Sequence, residues 1–119
     1  MGKRGRARGR AERLEAPTSE YTSDGGDVVT LRGALTPKTR QEYAATFAGN
    51  LLSQEDAWQR AVELLFEHLA VRWTISGVPT EGQRELLMRL RVATPGERRF
   101  VRDALREHVA EHFPDLQAP

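Results

Sequence analysis

Four helix-start signals crowd the stretch from residue 36 to residue 97, and together they leave this chain little choice but a set of short helices. Thr36-Pro37 sets an N-cap before a proline at the first helical position, where the missing N–H costs nothing, and Gly49 offers the left-handed stop. Ser53 followed by Glu55 and Asp56 places acids on the positive end of a second helix, and Ser76-Gly77-Val78-Pro79 marks its end. Thr80 with Gln83, and Thr94-Pro95-Gly96-Glu97, read as capping boxes that open two more helices. The spacing predicts helices over about 37–48, 54–74, 81–91 and 95–113, packed as an all-α, compact four-helix bundle.

Apolar periodicity assigns each helix a buried face. On the second, Trp58, Ala61, Val62, Leu65, Phe66, Leu69 and Trp73 recur at three- and four-residue intervals, which makes this helix the central one. Tyr43, Ala44 and Phe47 belong to the first helix. Leu86, Leu87 and Leu90 belong to the third, and Phe100, Val101, Ala104, Leu105 and Val109 to the fourth. Burying such side chains, at roughly 1.5 to 3 kcal/mol each, is the main source of folding free energy, and both tryptophans read as core. The helical domain spans 36–114, with 115–119 a tail. Ahead of it, Asp27-Val-Val-Thr-Leu-Arg-Gly33 is β-prone and bounded by glycine, so one short β segment over 27–33 lies within an extended stretch, 27–35. Leu14 to Gly26 has linker composition, and 1–26 reads as a disordered basic arm plus linker.

Charge is divided unevenly along the chain. Lys3, Arg4, Arg6, Arg8, Arg10 and Arg13 oppose only Glu12, so the arm carries +5 on a chain of net +1, leaving −4 for the rest. Arginine count alone says little where 16 of 18 basic residues are Arg, a bias that GC-rich coding produces. The glycine punctuation of the arm says more, because it keeps guanidinium groups in an unfolded segment where they can meet phosphate. A sequence without cysteine has no disulfide framework, thiolate metal site or thiol nucleophile. The longest apolar stretch, residues 61–73, is broken by Glu63, Glu67, His68 and Arg72, too short and too charged to span a bilayer. No apolar segment of a secretory signal follows the basic start, so the expectation is a cytoplasmic protein without a membrane partner.

Three patterns carry possible chemistry. His108-Val-Ala-Glu111-His112 resembles the HxxEH motif of the inverted zinc peptidases, in which two histidines one turn apart hold zinc and the glutamate is the general base. That family draws its third ligand from a carboxylate well downstream, whereas this sequence ends seven residues after His112. His68 is the remaining candidate, and the expectation is no bound metal and no cofactor. Leu35-Thr-Pro-Lys-Thr-Arg-Gln-Glu-Tyr43 resembles the opening helix of the core-binding domain of tyrosine recombinases, which implies at most a DNA-facing helix. Arg99, Arg102 and Arg106 fall at i, i+3 and i+7 on one face of the fourth helix, with Arg84 and Arg91 on the third, the outline of a helix-turn-helix. Glu81, Glu85, Glu97, Asp103 and Glu107 are interleaved with them, as on a solvated face. Neither a phosphate-cradling glycine loop nor a serine in a strand-to-helix elbow occurs.

The sequence therefore points to a non-enzymatic protein that binds nucleic acid or another polyanion through its arm, with Arg99, Arg102 and Arg106 adding contacts. The alternative is a homodimeric protein-interaction adaptor that uses the broad apolar surface of the central helix. A third reading is an accessory subunit or small-molecule binder with Tyr43, His68, His108 or Glu111 lining a pocket.

Overall fold

The computed structural model describes residues 17–48 and 54–119, and within them the chain is α+β, not the all-α four-helix bundle that the caps and periodicity suggest. In chain order the elements are β1 (Thr18–Thr22), β2 (Val28–Arg32), α1 (Pro37–Ala48), α2 (Gln54–Leu69), β3 (Ala70–Ile75), β4 (Val78–Glu81), α3 (Gln83–Arg91) and α4 (Pro95–His112). The four strands form one antiparallel sheet in the order β1-β2-β3-β4. A hairpin followed by two helices thus occurs twice along the chain.

The sheet arises from three segments that composition disguises. Thr18–Thr22 reads as linker because of its Thr, Ser and Glu, yet Ser19 and Tyr21 turn inward while Thr18, Glu20 and Thr22 face water, the alternation of a half-buried strand. The Ser23–Asp27 loop closes the hairpin. Ser23 N donates to the Asp27 carbonyl at 2.8 Å, Gly26 N to the Ser23 carbonyl at 2.9 Å, and Gly26 takes a positive φ of 91°. The 27–33 segment, expected to be a lone extended piece, is therefore an inner strand with neighbours on both sides. Farther on, the helix expected to run to residue 74 stops at Leu69, and the chain enters β3 with no intervening loop. Val71, Trp73, Thr74 and Ile75 are β-branched or aromatic, and Ser76 (φ 51°) and Gly77 (φ 79°) supply the two positive φ angles that a tight primed hairpin turn demands. Pro79 lies on the edge strand β4, where its missing donor is tolerated. The Ser76 amide donates to Asp27 Oδ1 at 3.0 Å, which joins the turns of the two hairpins.

One row of paired residues, Tyr21, Val29, Trp73 and Thr80, crosses the inner side of the sheet. The neighbouring row, Glu20, Thr30, Arg72 and Glu81, crosses the outer side, where Arg72 and Glu81 pair at 3.0 Å in solvent. The core unites Val29, Leu31 and Trp73 of the sheet with Tyr43 of α1, Ala61, Leu65, Phe66 and Leu69 of α2, Leu86 and Leu90 of α3, and Val101, Leu105 and Val109 of α4. Phe66 meets Trp73 edge to face with centroids 5.6 Å apart.

Helix starts follow local chemistry at two of the expected positions. Thr36 Oγ1 accepts from Thr39 N at 3.2 Å, and Thr94 and Glu97 form a full capping box, at 3.1 Å and 2.9 Å. At α3 the expectation fails. Thr80 is spent in β4, the N-cap is Gly82 (φ 93°) without a side-chain bond, and Gln83 reaches the Glu67 carbonyl at 3.1 Å instead. The stop at Gly49 and the cap at Ser53 lie outside the described residues. Residues 113–119 lie against α1: Phe113 and Pro119 are buried, Tyr43 Oη donates to the Gln117 carbonyl, and Arg40 pairs with Asp115 at 3.2 Å.

Candidate functional site

Where the N-terminal half of α2 faces the corner between α3 and α4, the surface opens into a groove of about 800 Å³. Trp58 and Val62 on α2, with Leu90, Ala93 and Pro95 at the corner, give it an apolar lining. Arg91, Arg98, Arg99 and Arg102 line it together with Glu55, Glu63 and Asp103. Arg91 is held by Glu63 at 2.7 Å, and Arg98 donates to the Arg91 carbonyl at 2.6 Å. The guanidinium carbon of Arg102 stands 5.1 Å from the centroid of the Trp58 ring, a cation–π distance. Its Nε is buried and has no hydrogen-bond partner among the described residues.

α4 also carries the two histidines, which face β1 rather than the groove. His108 is fully buried. Its Nε2 lies 2.8 Å from the Arg32 carbonyl, an atom that only accepts, so Nε2 bears the proton. Nδ1 is then bare and accepts from Tyr21 Oη at 2.8 Å. His112 Nε2 lies 3.2 Å from Ser19 Oγ, and the two imidazoles approach to 4.4 Å between centroids. Burial holds the pKa of His108 below its ordinary value, helped by the neighbouring His112 and opposed by the Arg32 carbonyl and Glu111. Tyr21 is raised, first by burial and then by Glu111 and Glu107. The geometry is that of a neutral clasp fastening the first hairpin to α4, with both nitrogens of His108 committed.

Both histidines of the HxxEH pattern are hydrogen-bonded within the fold, and Glu111 is exposed. His68 is half-buried on α2, and among the described residues no three His, Asp or Glu side chains come together as a metal-binding set. Of the three arginines singled out on α4, Arg99 and Arg102 line the groove, whereas Arg106 is exposed and does not. Lys3, Arg4, Arg6, Arg8, Arg10 and Arg13 lie outside the described residues. Leu65, Leu69, Trp73, Leu86, Leu90, Val101 and Leu105 are buried, but Trp58 and Val62 are only half-buried and line the groove. The spacing of Trp58 continues the apolar stripe of α2, and spacing alone therefore places it in the core. Arg98 falls outside the i, i+3, i+7 stripe that marks its neighbour Arg99, so periodicity does not single it out. Tyr21 and Ser19 lie inside a segment of linker composition, which hides them. No helix among the described residues is long and apolar enough to cross a membrane. A scan against models of known protein families finds no match to this chain, and searches of curated proteins and of solved structures find none either.

Proposed function

We propose that this is a non-enzymatic cytoplasmic nucleic-acid-binding protein, in which the basic arm supplies phosphate affinity and the groove between α2 and the α3–α4 corner supplies register. The observation that carries the reading is Arg102: a guanidinium packed on an indole that lines the groove, beside Arg98 and Arg99. Aromatic faces and arginines along one groove are the elements by which proteins hold nucleic acid without a duplex-reading helix. The arm adds charge to a body that is otherwise net negative, so it is the main electrostatic contribution to binding.

The alternative, a homodimeric adaptor, drew on α2 being apolar around more of its surface than three helices cover. Leu64, which widens that surface, packs partly buried against the core that holds Leu65, Phe66 and Leu69, which speaks for an internal use of this apolarity. The test of the leading reading is salt dependence. Removing residues 1–13 takes away six cations and is expected to reduce the slope of log affinity against log salt on duplex DNA by about five units. Unchanged affinity for both DNA and RNA after that truncation refutes the role of the arm.

A further inference from the structure

Resting on the nucleic-acid reading, we infer that the groove takes a single unpaired nucleotide of a single-stranded chain, its base against Trp58 and its phosphate on Arg99 and Arg102, and that it does not engage duplex.

Three features separate the single strand from the duplex. The first is charge. Four arginines line the groove against three carboxylates, Glu55, Glu63 and Asp103, and Arg91 is already neutralised by Glu63. Such a surface suits one phosphate but opposes the two continuous rails of phosphate that a duplex presents. On the exposed side of α4 the sign alternates again, with Asp103 and Glu107 set beside Arg99 and Arg106, so this helix lacks the cationic track that entry into a groove of DNA requires. The second is the indole. Trp58 is half-buried and in the groove, whereas Trp73 is fully buried under the sheet. An indole that lines a groove serves a base only when that base is unstacked from its neighbours, which a single strand allows at little cost and a duplex resists. The third is the lining. Val62, Leu90, Ala93 and Pro95 contribute apolar surface to the groove, which would strip water from a phosphate rail without return, while the planar face of a base packs on such surface.

Because Trp73 is sealed in the core, a change in tryptophan emission on binding reports Trp58. The full chain is titrated with an oligodeoxythymidylate of about eight nucleotides, with a blunt duplex of matched length, and with a poly-glutamate peptide of similar charge. The expected result is quenching by the single strand, at least tenfold weaker binding of the duplex, and no quenching by the peptide. Trp58→Phe is expected to abolish the quenching signal. Trp58→Ala is expected to weaken single-strand binding by about 5- to 150-fold, the equivalent of one stacked base. Arg99→Gln, at an exposed position that does not threaten folding, is expected to weaken it severalfold. Equal affinity for both nucleic acids without quenching overturns the groove assignment while leaving the arm-mediated reading standing. Quenching by the peptide but not the oligonucleotide overturns it in favour of an acidic protein partner. Failure of both nucleic acids to bind removes the groove assignment and the proposed function together.

Discussion

Replacing His108 is the sharpest test of how the first hairpin is held. In His108→Leu the volume is nearly kept, but the Arg32 carbonyl and Tyr21 Oη each lose a 2.8 Å partner. A part-buried carbonyl that loses its partner costs about 1–2 kcal/mol, and the half-buried Tyr21 hydroxyl, able to turn toward water, adds about 1 kcal/mol, so the variant should lose about 2–3 kcal/mol. The wild-type imidazole also makes stability depend on pH. The folded state holds His108 below the ordinary value of 6.5 that the unfolded chain has. Above that value both states are neutral, and the clasp contributes fully. As the pH falls below it, the unfolded chain gains a proton that the folded protein refuses, so stability declines until the lowered folded pKa is reached. The slope in that window is at most about 1.4 kcal/mol per pH unit for one proton. Glu97, whose carboxyl is lowered by the Thr94 amide and by Arg89, has the ordinary acid pattern: its contribution is present above about 4.5 and fades only below it. Urea unfolding at pH 7.5 and 5.5 therefore separates histidine from carboxylate titration, and the comparison with His108→Leu assigns the difference to His108. The wild type should lose stability over this interval, while His108→Leu should be weaker at pH 7.5 and change less with pH. Equal pH dependence in the two proteins would refute the neutral clasp.

Two further expectations concern stability alone. Thr94→Ala removes the acceptor for Glu97 N and should cost about 1 kcal/mol, read as a lower urea midpoint with an unchanged slope. Trp73→Ala empties the centre of the inner sheet row, where the indole packs on Phe66 and under Arg89, and should cost about 3–5 kcal/mol by the same measurement. A loss below about 1 kcal/mol would mean that β3 is not seated on the core as described.

Much of the helical part of this protein was legible in the residues. Helix starts at Thr36 and Thr94 are local devices, a hydroxyl and an amide three residues apart, and they operate regardless of what surrounds them. The sheet was obscured for the opposite reason. Val71, Trp73 and Ile75 continue an apolar run that suits helix or strand equally, and the choice goes to strand only because β2 offers an unpaired edge on one side and β4 closes back on the other. Thr18–Thr22 is too polar to bury itself and becomes a strand because Ser19 and Tyr21 find His112 and His108 on a helix about ninety residues away. The same holds for the site. Charge and spacing could single out Arg99 and Arg102, but not that Trp58 would be left half-exposed under Arg102, nor that Arg106 would turn away.

What the sequence determined by itself was therefore local: which segments cap and coil as helices, which faces are apolar, and where the cations cluster. The tertiary structure alone decided that two disguised hairpins pair into a sheet, that the histidines clasp the first hairpin, and that one tryptophan lines a groove. Each of those outcomes depends on partners distant along the chain, and pattern within a single segment contains no record of them.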